Sequence, residues 1–289
     1  MTLRKGDVNS AVKRLQKLLT DKGFDPGPAD GWFGDKTETA VKAFQKSKKL
    51  KSDGVVGTNT WNALGVPKEP AVKEANHHWD RVPADRYKDG YTSFTLREDA
   101  AQAYQQVYDV VKGAGGIIPS SGAKRELSAS VGEGRSKTSF HYTGRALDIM
   151  IGSAMQNPKT DPLVVESDIV NGRQYWRVFV KADGGEPMNL KGVKWSKNSI
   201  TSQNVSDNFI DLTELFASFG FNRISARTNW RTKYINTEWW HYQYVEGLIA
   251  GKSTFGQELL KVYPRSTLEK FPPWDFRHYV FKGNYFGKS

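Results

Sequence analysis

Two short stretches constrain this chain more than anything else in it. They are Ser139-Phe140-His141-Tyr142-Thr143-Gly144-Arg145-Ala146-Leu147-Asp148 and, ninety residues after Asp148, Glu238-Trp239-Trp240-His241. A fold that uses both must bring segments far apart in the chain to one place. Two imidazoles and one carboxylate suit a borderline divalent cation such as Zn²⁺, and three protein ligands leave a fourth tetrahedral position open for water. An open position means catalysis rather than scaffolding. The ion lowers the pKa of that water to about 7, and a nearby carboxylate, here Glu238, takes its proton as it attacks a carbonyl. The chemistry implied is amide hydrolysis.

Spacing by itself does not show that these donors converge. Gly144 permits backbone conformations closed to other residues, so the segment from His141 to Asp148 can turn and bring both ends to one ion, and the small Ala146 lets neighbouring backbone approach. Glu238 and His241, three apart, would share a face of a helix but not of a regular strand. Taken singly, a histidine in the run Trp239-Trp240-His241-Tyr242 is more often a packed core residue than a ligand, and an isolated Asp148 is more often a cap or an ion-pair partner. Only the joint pattern outweighs these readings.

That joint pattern, S-x-H-x-x-G-x-A-x-D followed by E-x-W-H, resembles the zinc D-Ala-D-Ala carboxypeptidase, dipeptidase and L-alanyl-D-glutamate endopeptidase family, which cuts peptidoglycan stem peptides. The resemblance implies an α+β catalytic domain with an antiparallel sheet, of the hedgehog and DD-peptidase kind. It also implies Zn²⁺ held by His141, Asp148 and His241, with Glu238 as the catalytic base. Ser139, Gly144 and Ala146 fit the remaining fixed positions, with Ser139 expected beside the substrate. His77, His78 and His278 match no family position and are read as non-ligands. The run Ile117 to Arg125 resembles the family's strand ending in S-G-Y-R, whose arginine helps to hold substrate and oxyanion. Here Ala123 replaces the tyrosine, Lys124 falls on the arginine position, and Arg125 follows one step later. A lysine lacks the bidentate fork that suits a carboxylate or an oxyanion. Arg125 is therefore ranked first for that role, with Lys124 and Arg135 as further substrate-binding candidates.

Residues 1–66 read as a separate unit. Val8, Val12, Leu15, Leu18 and Leu19 recur at helical spacing and stop at Lys22-Gly23, a second helical pattern covers Thr37 to Gln45, and a third short one runs from Thr58 to Leu64. Two D-G-x-x-G loops, Asp30 to Gly34 and Asp53 to Gly57, make a weak internal repeat. With A-V-x-x-F-Q at Ala40 to Gln45 and Thr60-Trp61, the unit resembles the three-helix peptidoglycan-binding domain found at the ends of many wall hydrolases. Trp32 and Phe33, set beside glycines, are the candidates for ligand contact. Residues 67–76, with two prolines and four charges, read as a linker. The catalytic domain is expected over 77–289.

Within that domain the apolar stripe from Ala100 to Val111 predicts a helix over 97–112, ended by Gly113-Ala114-Gly115-Gly116. Leu163 to Glu166 and Tyr175 to Val180, around Asn171-Gly172, predict an inserted hairpin beside the site. A helix over 209–219 and a strand through Phe221 to Ile224 are expected to lead into the second motif.

Cysteine is absent, which excludes disulfides, thiolate ligands and a cysteine nucleophile. The formal net charge is +11, and residues 1–66, with twelve Lys or Arg against seven Asp or Glu, carry +5 of it. Such a balance suits attraction to an anionic polymer. Lys46, Lys48, Lys49 and Lys51 cluster, but no nucleic-acid reader motif accompanies them, so peptidoglycan is the expected partner and nucleic acid is not. No apolar run long enough for membrane insertion and no export signal occur, which fits an endolysin-like enzyme made in the host cytoplasm and released to the wall. A monomer is expected. The function expected is that of a zinc endopeptidase cutting stem or cross-link peptides, with L-Ala-D-Glu favoured. A D-Ala-D-Ala carboxypeptidase or a non-catalytic wall-binding protein are the alternatives.

Overall fold

The computed structural model of the 289-residue chain describes residues 3–7, 10–65, 75–129, 136, 138–197, 199–249, 253–268 and 270. The chain divides into two compact units, Met1–Val72 and Lys73–Ser289. The smaller holds three helices, α1 (Ser10–Asp21), α2 (Asp35–Ser47) and α3 (Thr58–Ala63). Their apolar faces meet in one core built from Leu3, Val12, Leu15, Leu19, Phe33, Val41, Phe44, Val56, Trp61 and Leu64.

The repeated D-G-x-x-G loops have a shared internal anchor. In the first, the buried Gln16 side chain donates to Asp30 Oδ1 (2.9 Å), Trp32 O (3.0 Å) and Thr37 Oγ1 (3.2 Å), and accepts from Gly31 N (2.9 Å). In the second, Gln45 does the same with Asp53 Oδ1 (3.2 Å), Val55 O (2.9 Å), Thr60 Oγ1 (3.1 Å) and Gly54 N (3.0 Å). Each glutamine thus satisfies a loop whose backbone groups would otherwise be buried without partners. The sequence repeat is a structural repeat of helix, loop and following helix.

The larger unit is α+β. It contains β1 (Trp79–Pro83), β2 (Ser93–Arg97), α4 (Glu98–Gly113), β3 (Ser120–Gly122), β4 (Ala146–Ile149), β5 (Leu163–Val170), β6 (Arg173–Ser196), β7 (Ser199–Asp211), α5 (Leu212–Ser218), β8 (Phe221–Arg223), β9 (His241–Tyr244), α6 (Phe255–Leu260) and α7 (Arg265–Leu268). Three sheets form, all of their pairings antiparallel: β1-β2, β3-β4-β9-β8 and β5-β6-β7. The predicted stripe of α4, with Ala100, Ala103, Tyr104, Val107 and Val111 buried, packs into the core that underlies the four-stranded sheet.

The residues 66–74 lie outside the described residues, so most of the expected linker does too. Its last part belongs to the larger unit: Ala75 N donates to Leu260 O (2.7 Å) and His77 N to Lys261 O (3.0 Å). The Asn171-Gly172 turn is present, with both residues at positive φ (50° and 74°), as a two-residue hairpin turn between β5 and β6 requires. The insertion is larger than the predicted hairpin. β6 runs on to Ser196 and pairs with β7 to make a third strand. The expected helix over 209–219 is shortened for the same reason: Phe209, Ile210 and Asp211 are paired with Lys181, Val180 and Phe179, and the helix starts only at Leu212. Asp211 then caps it, its side chain accepting from Glu214 N at 3.0 Å.

Candidate metal centre

The register of the four-stranded sheet does what spacing could not. β4 and β9 are antiparallel neighbours, and Asp148 stands directly opposite His241, a pairing that brings Cβ atoms within about 5.5 Å. His141 arrives from a 3-10 helix, Phe140–Thr143, that immediately precedes β4. Between them Gly144 ends the 3-10 helix in the left-handed conformation (φ 70°) and reverses the chain into β4. Ala146 is fully buried where the strand begins.

Three side chains consequently face one point. His241 Nδ1 lies 2.9 Å from Asp148 Oδ1, His141 Nε2 lies 3.2 Å from Asp148 Oδ2, and the two ring nitrogens are 3.2 Å apart. Donors held about 2.0–2.1 Å from a tetrahedral centre stand roughly 3.3 Å from one another, close to the 3.2 Å between the two ring nitrogens, and with one Asp148 oxygen the three donors lie within 4.8 Å of one another. Among the described residues no other group of three His, Asp or Glu donors converges this way. His141 Nδ1 donates to Ala123 O (2.5 Å), which fixes the tautomer and leaves Nε2 with its lone pair. On His241 the outward nitrogen is Nε2, 3.1 Å from the Gln243 carboxamide. The atom of the carboxamide that faces it is the amide nitrogen, Nε2 of Gln243. Burial alone would push the Asp148 carboxyl up, but the facing imidazoles outweigh it and hold the group well below the usual carboxylate range.

Glu238 lies three residues before His241 and is buried. Its backbone has φ 55°, a left-handed conformation uncommon outside glycine and costly to hold. Burial pushes its carboxyl up from the ordinary glutamate value, which makes it a better proton acceptor. Its Oε1 is 2.5 Å from Nη2 of Arg227, a residue that sequence reasoning missed. No motif marks Arg227, because its approach depends on the path of the loop between β8 and β9.

The other predicted residues separate by their partners. Arg125 lies beside the site, its backbone N donating to His141 O (3.1 Å), and its Nη1 is buried without a hydrogen-bond partner. Lys124 is occupied elsewhere, 3.0 Å from Glu126 and over the Trp79 ring at 4.9 Å. Ser139, expected at the substrate, caps the 3-10 helix, its Oγ accepting from His141 N at 3.4 Å. Arg135 and His278 lie outside the described residues. His77 and His78 are committed to Glu98 and Asp80 rather than to the metal group. In the small unit Trp32 is 58% exposed, whereas Phe33 is fully buried in the three-helix core. Phe33 is therefore a packing residue, since a side chain with no exposed surface in that core presents none to a ligand.

A buried charge network locks the first motif from behind. Arg97, fully buried, grips Asp99 with two hydrogen bonds (2.7 and 2.6 Å) and donates to Glu258 (2.8 Å). Arg145, inside the motif, donates to the same Glu258 oxygen (2.8 Å) and to the carbonyls of Tyr244 and Glu246. Lys261 completes the set at 2.7 Å from the other Glu258 oxygen. Burial opposes ionisation of Glu258, but Arg145, Arg97 and Lys261 together hold it below the usual glutamate range.

Comparison with known proteins finds matches to parts of the chain. Residues 8–64 match the family described as putative peptidoglycan binding domain. The chain is 27% identical over 161 residues to a zinc D-Ala-D-Ala carboxypeptidase of Streptomyces albus G, covering 53% of this chain and 62% of that protein. It is 41% identical over 72 residues to a probable N-acetylmuramoyl-L-alanine amidase of Bacillus licheniformis, covering 24% of this chain and 20% of that one. The chain thus spans less than two thirds of either relative. Among solved structures, a Burkholderia AP3 phage endolysin is 28% identical over 39% of this chain and 33% of its own, with a TM-score of 0.22.

Proposed function

We propose that the protein is a zinc-dependent peptidoglycan hydrolase that cuts an amide of the stem or cross-link peptide, with the small unit as its wall anchor. The observation that carries this reading is the meeting of His141, Asp148 and His241 within 4.8 Å of one another, on opposed strands beside a buried glutamate whose carboxyl is raised by burial. The match of residues 8–64 to a peptidoglycan-binding family and the similarity to a zinc carboxypeptidase support the substrate. A bound zinc ion would supply Lewis-acid polarisation of the scissile carbonyl and of the attacking water. Glu238 would take a proton from that water on a side-chain oxygen and deliver it to the leaving amine. The Arg125 guanidinium, with a buried Nη1 still seeking an acceptor, would offset the charge that develops on the carbonyl oxygen. Trp32 would meet the wall polymer, and tethering by the small unit raises local substrate concentration without altering the chemistry.

An endopeptidase at L-Ala-D-Glu is favoured, because a wall anchor suits lysis better than the trimming of free dipeptides. Removal of terminal D-Ala is the second reading, favoured by the likeness to the Streptomyces carboxypeptidase. Zymography on purified cell walls tests both, using zinc-loaded wild type, chelated wild type and Glu238→Ala. Clearing by the first alone is expected, and Glu238→Ala should still take up one zinc. Clearing that survives both the chelator and the substitution would discard the enzyme reading. Mass spectrometry of the released fragments distinguishes an internal cut from the loss of alanine.

A further inference from the structure

The reaction proposed above gives no role to the three-stranded insertion β5-β6-β7 or to Arg227, which rests on the base. We propose that Arg227 determines specificity by receiving a carboxylate of the substrate, carried next to the scissile amide, and that the insertion holds Arg227 in place to do so. The inference rests on the peptidase reading of the site.

The loop between β8 and β9 is fastened to the insertion along its length. Ala226 N donates to Gln174 O (2.8 Å), Trp195 Nε1 to Trp230 O (2.9 Å), and Trp176 Nε1 to Thr237 O (2.7 Å), one residue before Glu238. Trp176 is buried and meets the Trp230 ring edge-on at 5.0 Å. Within the loop, Arg227 N donates to Asn236 O and the Asn236 side chain returns to Thr228 O, both at 2.8 Å. A loop braced this way presents its side chains with little freedom, which is what a specificity contact needs.

Arg227 itself is exposed over 43% of its side chain, and the Glu238 carboxylate is the one partner of its guanidinium among the described residues. With 43% of the side chain exposed, the fork is open to a second carboxylate, and a guanidinium binds carboxylates best with two parallel hydrogen bonds. The contact with Glu238 also occupies one oxygen of the base. A substrate carboxylate that draws Arg227 away frees that oxygen at the moment of binding. The surrounding charge has the matching sign: residues 223–237 contain Arg223, Arg227, Arg231 and Lys233 and no acidic residue. The other cations are already engaged, Arg223 with Asp168 and Arg231 over the Trp230 ring at 4.3 Å, and Lys233 too has a partner.

The test uses two peptides of stem-peptide type, identical except that the residue beside the cleaved amide carries a free carboxylate in one and a carboxamide in the other. Full-length wild type, Arg227→Gln and Arg227→Lys are compared for kcat and KM when zinc-loaded, and for equilibrium binding by calorimetry when metal-free. Wild type should prefer the carboxylate peptide by about tenfold or more, chiefly through KM, as the loss of a charge-assisted hydrogen bond implies. Arg227→Gln should lower that preference to under about twofold, with Arg227→Lys in between because a lysine keeps the charge without the fork. A preference that survives Arg227→Gln, or an equal loss on both peptides, overturns the proposal. Should wild type cut neither peptide, the peptidase reading fails, and calorimetry still decides this one: tighter carboxylate binding that needs Arg227 upholds it, and equal binding of the two peptides overturns it.

Discussion

Replacing Gly144 by alanine should damage stability and metal affinity together. An added Cβ would stand 2.6 Å from Trp79 Cζ3, 2.7 Å from Arg97 N and 2.9 Å from Arg97 Cβ, where ordinary van der Waals contact begins at 3.4 Å. Two of the three obstacles belong to Arg97, which cannot yield: its backbone N donates to Gly144 O at 3.0 Å, and its guanidinium is clamped by Asp99 and Glu258. Crowding of this kind costs about 1–3 kcal/mol, and a left-handed backbone adds roughly 1 kcal/mol for a residue with a Cβ, giving about 2–4 kcal/mol in all. Any shift of residues 141–148 that relieves the clash displaces His141 relative to Asp148, so zinc affinity should fall by about 10–100-fold, the range seen when the groups orienting a ligand are lost. Urea unfolding of the metal-free full chain reports the first effect, as a lower midpoint of the larger unit's transition at unchanged slope. Competition with a chromophoric chelator reports the second. A Gly144→Ala protein within about 0.5 kcal/mol of wild type, with its zinc affinity intact, would refute the account of how the first motif is held.

Two further substitutions probe the parts around the site. The Asp99 carboxyl is pushed up by burial, but its bidentate pairing with Arg97 more than compensates and brings it down to about 2. Because the folded value lies below the unfolded one of about 3.9, the stabilisation, about 2 kcal/mol, is fully present above pH ~4 and is lost as pH falls towards 2; Asp99→Asn should flatten that part of the acid-unfolding profile, and an unchanged profile would count against the pairing. In the small unit, Phe33→Ala should cost about 3–5 kcal/mol and lower the first thermal transition of the full chain, whereas Trp32→Ala should leave that transition alone and weaken pull-down on insoluble cell walls. The reverse pattern would show that the burial of the two neighbours has been assigned wrongly.

Much of the larger unit could be read from local pattern. The helix over 98–113 follows from a stripe of apolar residues, and the hairpin turn at Asn171-Gly172 from two residues tolerant of positive φ. The second half of β6 was not legible, because residues such as Glu186, Asn189 and Lys191 are polar and exposed, and become a strand only through pairing with β7. The same pairing drew Phe209 to Asp211 out of the helix their sequence suggested. Phe33 misled for a different reason: aromatic side chains beside glycines look alike in sequence, and only the packing of three helices decides which one is sealed.

From the residues alone came the donor set, the carboxylate beside it and the flexible glycine between two ligands, because the chemistry of a cation fixes residue types wherever they stand in the chain. Convergence of those groups was left to the tertiary structure, since it depends on the register of β4 against β9 and no local spacing encodes a register across ninety-three residues. The same holds for Arg227, the Arg97-Arg145-Glu258 lock and the bracing of the β8–β9 loop by the insertion. Each is a contact between distant segments, created only when burial of the apolar faces brings their backbones together.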